Sequence, residues 1–499
     1  MIKLRIDNKS IEVAENTTIL QAANSIGIDI PTLCYLQGKK PCTSCFVCVV
    51  KVQGIDNFVP ACATVAKDGM VVDTQSDDVL KARKGALELL LSDHLGDCYE
   101  PCKIACPFGL DISAMLTHIE NKNDDKAIKV MKNAMPMPAI VSLLCPRPCE
   151  SICRRKQFDT SIPIASIKIQ LAQNDLAKEK PYTPAPAQNI GKNIAIIGAG
   201  PAGLTAAYLM TIAGCNCTVF DKNNKPGGTL NDTKIDKELL TAETMEILEA
   251  CHEVHLSQEL GVDFTLEQLS KDYNAVILAT GENKIEQANL QYSKTGIAID
   301  TQTHKTSIDK VYSIGSAVKP AKSAVLAMGK VKKSCSDIIS HLKGDKIDNP
   351  KLFNCRIGKL NEQHIEAIKA IMPARPNNEK DNILESAKLC LHCDCLKKEQ
   401  CGLKKYSQQY DANFQSFQCD KPALEKIECE IDGRHVIYES GKCIKCGKCI
   451  TINPNLTFIN RGYNSTLSPA IGMDWPEALS VKTDEIINNC PTAALSFQD

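Results

Sequence analysis

The sequence predicts a multidomain α+β chain, on three observations. Its 499 residues are enough for three or more domains, each with its own core. The first thirteen residues alternate apolar and polar side chains as half-buried strands do, whereas residues 193–210 pass from an apolar stretch through Gly-x-Gly-x-x-Gly into a helical pattern. The 26 cysteines stand in tight runs with metal-ligand spacing rather than as distant pairs.

Bulk composition excludes several function classes. Lys+Arg 58 against Asp+Glu 59 leaves no field to recruit nucleic acid or an acidic membrane surface. The longest apolar run, 194–214, is broken by Gly198, Gly200, Pro201 and Gly203, so no direct membrane span is expected. Met1 to Leu20 lacks a basic stretch followed by an apolar segment and a small-residue cleavage site. The expected setting is therefore cytoplasmic and reducing, which disfavours a disulfide framework.

Residues 1–78 form the first expected domain. Ile2, Leu4 and Ile6, then Ile11 and Val13, predict a hairpin turned at Asp7-Asn8-Lys9, and 18–26 have helical periodicity. Cys34, Cys45, Cys48 and Cys62 follow, with ten, two and thirteen residues between successive cysteines. Soft thiolates suit iron, and a loop of small and polar residues can turn backbone N–H groups toward the sulfurs. Cys42 falls outside the spacing and reads as a buried or spare thiol. A four-cysteine zinc site is the competing reading, although zinc sites usually use two short Cys-x-x-Cys knuckles. Through "PTLCY", "CTSCFVCVVKV" and "PACATVAKDGMVV" this segment resembles the plant-type ferredoxin domain of the NADH-quinone oxidoreductase large subunit and of iron-only hydrogenases. That resemblance implies a β-grasp fold and a 2Fe-2S cluster.

Residues 79–180 are expected to be a helical module for two 4Fe-4S clusters. A helical stretch, 83–91, leads to His94, Cys98, Cys102 and Cys106, where Gly96 and Pro101 argue for loop over continuous helix, and then to Cys145, Cys149 and Cys153. Six cysteines cannot fill the eight positions of two cubanes. "CKIACPFGLDI", "KVMKNAMPMPAI", "CPRPCESIC" and "PIASIKIQ" resemble the two-cluster domain shared by the glutamate synthase small subunit, dihydropyrimidine dehydrogenase and the ferredoxin-NADP transhydrogenase large subunit. That family takes a Gln or Glu ligand seven residues beyond a Pro, which from Pro163 is Gln170. "LELLLSDHLGDC" resembles the opening of the histidine-ligated cluster in the NADH-quinone oxidoreductase large subunit. The resemblances imply one cluster on His94, Cys98, Cys102 and Cys153 and another on Cys106, Cys145, Cys149 and Gln170. A solvated loop histidine and an ordinary polar helix residue are the alternatives for His94 and Gln170.

A Pro-rich linker, 181–189, precedes a Rossmann-type domain at 190–345. In "NIAIIGAGPAGLTAAYLM" a strand meets Gly198, Gly200 and Gly203, with Pro201 and Ala202 opening a helix, and Asp221-Lys222 end the next strand. The glycines allow a tight turn, approach to a pyrophosphate and helix–strand packing, and Asp221 suits a ribose hydroxyl. Gly227-Gly228, "AVILATG" with Thr280 and Gly281, and "TSIDKVYSIGSAV" with Gly315 and Ser316 resemble the FAD-binding segments of the same glutamate synthase family, which implies FAD. Two departures stand out. The family's second Rossmann domain for NAD(P)H is missing between Gly281 and Val311, and Ser316 replaces the usual Asp.

Residues 346–430 are expected to be a linker and a Cys-rich segment. Cys390, Cys393, Cys395 and Cys401 are close enough to chelate one centre, iron–sulfur or zinc. In 431–499, Cys443, Cys446 and Cys449 with Cys490-Pro491 follow the ferredoxin pattern for one further 4Fe-4S cluster, and Asn453 stands where a second cluster would need a cysteine. Within this ferredoxin-like segment, "FINRGYNSTLSPAIG" resembles the linker between clusters in NADH-quinone oxidoreductase and formate dehydrogenase subunits. Cys419, Cys429, Cys215, Cys217, Cys251, Cys335 and Cys355 have no spacing partner or lie in the Rossmann part, and read as structural.

The expected cofactors are thus one 2Fe-2S cluster, three to four 4Fe-4S clusters and FAD, with no acid/base dyad or nucleophile triad. The first functional reading is an electron-transfer subunit whose redox partners carry the NAD(P)H, formate, hydrogen or ferredoxin site; flavin-based bifurcation extends the family analogy. A self-contained flavin oxidoreductase acting on a small donor and a cluster scaffold with an empty Rossmann domain are the alternatives.

Overall fold

The computed structural model describes residues 1–285, 289–345, 353–358, 360–375, 382–417 and 425–498. Two compact units divide them. The first comprises 1–99, the described residues within 351–372, and 393–498; the second comprises the described residues within 100–350 and 373–392. The segment 79–180, expected as one module, is therefore split at Tyr99, and the segment 346–430 is shared between the units. Cys419 lies outside the described residues.

In the first unit, five strands lie in the order Lys9–Val13, Ile2–Ile6, Val71–Asp73, Val49–Val52 and Val59–Pro60. The alternating N-terminal residues pair antiparallel from Ile2↔Val13 to Ile6↔Lys9, which turns Leu4, Ile6 and Val13 inward. The helix Ile19–Ser25 covers that face with Ile19, Leu20, Ala22 and Ala23, and starts at a capping box in which Thr18 and Gln21 satisfy each other's backbone N–H. The helix Asp77–Ser92 also belongs here. Its buried Arg83 donates to the Val49 carbonyl and to the Tyr410 hydroxyl, both at 3.1 Å. A C-terminal sheet in the order Lys426–Ile431, Arg434–Glu439, Leu495–Gln498 carries a core that includes Val436, Tyr438 and Leu456.

The second unit is built on five parallel strands in the order Val311–Ser313, Ala275–Leu278, Asn193–Ile197, Asn216–Asp221, Glu253–Leu256. Numbered along the chain this is 5-4-1-2-3, so the sheet reverses direction beside its first strand, where α/β sheets bind ligands. The same unit holds the helices Ile112–Glu120, Asp124–Ala134, Pro138–Leu144 and Ile164–Leu176 in one continuous apolar core with that sheet. The Pro-rich segment expected to be a free linker is tied in at both ends: Tyr182 N–H bonds Asp175 and Ala187 N–H bonds the Ile212 carbonyl.

Buried charge joins helical module to sheet. The ammonium of Lys132, 2% exposed, sits 2.9 Å from Asp175 and 2.7 Å from Glu246, and the Tyr208 hydroxyl donates to its carbonyl. Glu243 accepts the Ala139 and Ile140 N–H groups at 2.9 Å, satisfying donors at the start of Pro138–Leu144. Burial pushes this carboxyl up to about 7, against the pull of those two N–H groups. A carboxyl raised in the folded state contributes its stability below the unfolded value of 4.5 and loses it as pH rises through 7. Urea unfolding across that range should show a decline of about 3 kcal/mol in the second unit that Glu243→Gln removes.

Candidate functional site

None of the described cysteines is in a disulfide. Those predicted as ligands fall into separate groups, and the first is the N-terminal four. Cys34 and Cys45 face each other within hydrogen-bond reach, and so do Cys48 and Cys62. The Cys45 thiol donates to Cys34, holding Cys34 down at about 5 and pushing Cys45 far above its ordinary value; Cys62 does the same for Cys48. The connecting loop reaches its sulfurs through positive-φ residues Thr43 and Phe46, and the backbone N–H groups of Ser44 and Val47 point at Cys34 and Cys45. Two pairs of thiols match two metal ions with two ligands each. Cys42 stands apart, 3.6 Å from the Thr451 hydroxyl.

Cys443, Cys446, Cys449 and Cys490 form the second group and line one small pocket with Tyr438, Phe458 and Leu467. Burial and then mutual repulsion raise Cys443 to about 11 and Cys449 to about 12. Gly447 takes φ +78 between Cys446 and Cys449, and a side chain there would meet the Cys42 sulfur at 3.2 Å. Asn453 is fully buried and donates to the Ala478 and Val481 carbonyls at 2.8 Å while accepting from Asn455 N–H, so its amide serves as a structural pin. Asn453→Ala would leave both carbonyls unpaired and should cost roughly 2–4 kcal/mol in unfolding experiments on the full chain.

The expected set His94, Cys98, Cys102, Cys153 is divided: His94 and Cys98 lie in the first unit, Cys102 and Cys153 in the second. So is the set Cys390, Cys393, Cys395, Cys401, of which Cys390 alone is in the second unit. Within the second unit, Cys102, Cys106, Cys145, Cys153 and Cys390 pack against one core, and Cys149 is buried in it. Arg155, 1% exposed, joins the Cys153 loop to the Cys390 segment by donating to the Leu389 carbonyl at 2.7 Å. Cys149 is raised to about 11 by burial, eased by Lys168 and raised again by Cys106 and Cys145. Gln170 lies on the exposed side of its helix, whereas Lys168, which spacing did not single out, is buried beside Cys149.

The zinc alternative meets a geometric difficulty. Ligands of one tetrahedral zinc would stand about 3.8 Å apart, given a zinc–sulfur distance of about 2.3 Å. Among the described residues no three cysteine sulfurs lie within 4.8 Å of one another. Thiolates spread over several irons tolerate the wider spacing.

The dinucleotide cradle gathers at the carboxyl ends of the parallel strands. Side-chain atoms at four glycines would collide: Gly198 (φ +108) with the Ala279 carbonyl at 2.6 Å, Gly203 with the Gly198 carbonyl at 1.7 Å, Gly228 with the Gly200 Cα at 2.8 Å, and Gly315 with the Ala202 Cβ at 2.6 Å. Gly200 caps the helix Pro201–Ile212, whose N-terminus carries the partial positive charge that favours a phosphate. Gly281 (φ +71) faces open space, and the buried Thr280 hydroxyl has no partner, as a ligand-facing group would. Asp221 departs from expectation. Its Oδ2 accepts Ala199 N–H at 2.6 Å and its Oδ1 accepts Asn223 N–H at 2.8 Å, so the carboxylate holds the glycine loop itself. Lys222 is exposed, 3.7 Å from Glu259; Gly227 (φ +110) bonds the Ala199 carbonyl, and Ser316 sits in the turn Gly315–Ala317.

Residues 1–77 match the family model described as a 2Fe-2S iron-sulfur cluster binding domain, residues 95–180 that of dihydropyrimidine dehydrogenase domain II, 4Fe-4S cluster, and residues 196–245 that of an NAD(P)-binding Rossmann-like domain. The chain is similar to the NADPH-Fe(3+) oxidoreductase subunit beta of Geobacter sulfurreducens, 30% identical over 39% of this chain and 30% of that protein. It is equally similar to the NADP(+)-dependent formate dehydrogenase subunit beta of Moorella thermoacetica, 30% identical over 36% of this chain and 29% of that one. A shorter match, 52% identical over 20% of this chain and 18% of the other, is to the NADP-reducing hydrogenase subunit HndD of Solidesulfovibrio fructosivorans. The chain thus spans about 30% of the length of the curated relatives matched over its longest stretch. No described helix is long and apolar enough to cross a membrane.

Cys45→Ser should abolish only a two-iron paramagnetic signal of the reduced protein, with any four-iron signal left in place.

Proposed function

We propose that this chain is an electron-transfer iron–sulfur flavoprotein subunit of a multi-subunit oxidoreductase. The observation that carries the reading is the presence in one chain of buried thiol groups at cluster spacing and a glycine cradle at a sheet's reversal point. In this reading Cys34, Cys45, Cys48 and Cys62 hold a 2Fe-2S cluster, and Cys443, Cys446, Cys449 and Cys490 a 4Fe-4S cluster. Cys106, Cys145 and Cys149 serve a further one, and Cys102, Cys153 and Cys390 supply ligands to another.

FAD supplies exchange of two electrons on one side and single electrons on the other. The chain's own residues do the rest. Gly198, Gly200 and Gly203 bring backbone N–H groups and a helix N-terminus to the pyrophosphate, while Asp221 keeps the glycine loop in shape. Thr280 offers a hydroxyl. Backbone N–H groups and buried lysines beside the sulfurs set how much negative charge each centre tolerates, and hence its potential. Partner subunits bring the NAD(P)H-, formate-, hydrogen- or ferredoxin-linked chemistry, since no NAD(P)H domain stands between Gly281 and Val311 in the sequence.

The test is iron, sulfide, zinc and flavin content of anaerobically purified protein, with paramagnetic resonance during stepwise reduction. Several cluster signals with one FAD per chain are expected; iron without flavin would leave a cluster scaffold, and zinc with little iron would overturn the reading. Gly200→Val, which places a side chain in the cradle, should remove flavin and leave iron unchanged.

A further inference from the structure

We propose that Cys98, Cys395 and Cys401, with His94 as fourth ligand, hold one 4Fe-4S cluster in the first unit, so that the second unit's sequence is inserted between the two halves of a single metal site. The inference rests on the reading of this chain as an iron–sulfur protein. It regroups cysteines that spacing assigns elsewhere.

Main-chain contacts bring the segments together. Cys395 N–H donates to the Cys98 carbonyl at 3.4 Å, although everything from Glu100 to His392 lies between Tyr99 and Cys393 in sequence. Cys401 precedes the helix Gly402–Gln409, and its sulfur accepts Lys404 N–H at 3.4 Å. The Lys404 ammonium returns to the residue beside Cys98, bonding the Tyr99 hydroxyl and lying 4.4 Å from its ring centre. Cys98, Cys395 and Cys401 are 7%, 7% and 8% exposed, and Cys395 acts electrostatically on both Cys98 and Cys401.

Three buried thiols close enough to repel one another would be a costly way to fill a core, because any thiolate among them is desolvated and repelled. Ammonium groups offset part of that charge: Lys404 acts on Cys98, Lys442 on Cys395, and Lys397 feels Cys490, Cys395 and Cys401, while Asp97 acts against Cys98 and Glu439 and Asp394 against Cys395. An anionic cluster ligated by the thiolates would draw on those ammonium groups.

His94 completes the set. Its Nδ1 is buried without a hydrogen-bond partner, while its ring bonds the main chain of Lys442, the lysine that also faces Cys395. Cys355, which spacing left as structural, has a different part: its N–H donates to the Cys98 sulfur at 3.4 Å and its carbonyl accepts Cys98 N–H at 3.1 Å. It supports the ligand through the main chain, as neighbours of a metal site commonly do.

The test is iron content and paramagnetic resonance of the reduced full-length protein. Cys98→Ser, Cys395→Ser and Cys401→Ser should each remove the same single signal and about four irons. His94→Cys should retain that iron but shift the g values and potential of the signal, and Cys355→Ala should leave all the iron in place. Loss of different signals in Cys98→Ser and Cys395→Ser would overturn the grouping while leaving the chain an iron–sulfur protein; an unaltered spectrum in His94→Cys would remove the histidine from it. Zinc in place of iron would instead overturn the underlying reading.

Discussion

Sulfur that must carry negative charge cannot be buried in quantity unless something opposes that charge, and most of this chain's architecture answers to that constraint. Burial is the largest cause that pushes the Cys98, Cys149 and Cys443 thiols up to about 11, which favours the protonated form over the thiolate. The fold opposes this with main-chain N–H groups turned toward Cys34, Cys45, Cys98, Cys401 and Cys443, and with buried lysines at Cys98, Cys149 and Cys395. Loops do this work because helices and strands spend their N–H groups on themselves.

The scaffold beneath is two independent solutions to presenting such loops. In the first unit, a mixed sheet with one helix across it releases the long cysteine loop, and a smaller sheet supports the pocket around Cys443. In the second, a parallel sheet puts Gly198, Asp221, Thr280 and Gly315 at one edge, and a buried ion network on Lys132 ties the helices Asp124–Ala134 and Ile164–Leu176 to Glu246 on a helix of the sheet domain. Removing one partner of such a network leaves an uncompensated buried charge.

Much of this was legible in residue order. The N-terminal hairpin, the strand–turn–helix around Gly198 and the cysteine groups at 34–62 and 443–490 depend on local periodicity and short spacing, and the fold keeps them as read. Less legible was what each side chain does once packed. Asp221 stands where a ribose ligand is expected but accepts Ala199 N–H of the glycine loop with one oxygen and Asn223 N–H with the other, and Gln170 is exposed while Lys168 is buried.

The sequence by itself determined which chemistry is present: soft ligands in clusters and a phosphate cradle, both written in residue types a few positions apart. Only the tertiary structure shows which cysteine segments lie beside one another. Cys98 stands near Cys102 in sequence, yet the fold divides them between units and bonds Cys395 to Cys98 and Cys390 to the core of Cys153. The physical reason is that coordination depends on distance in space, and an inserted unit makes neighbours of residues that no spacing rule connects.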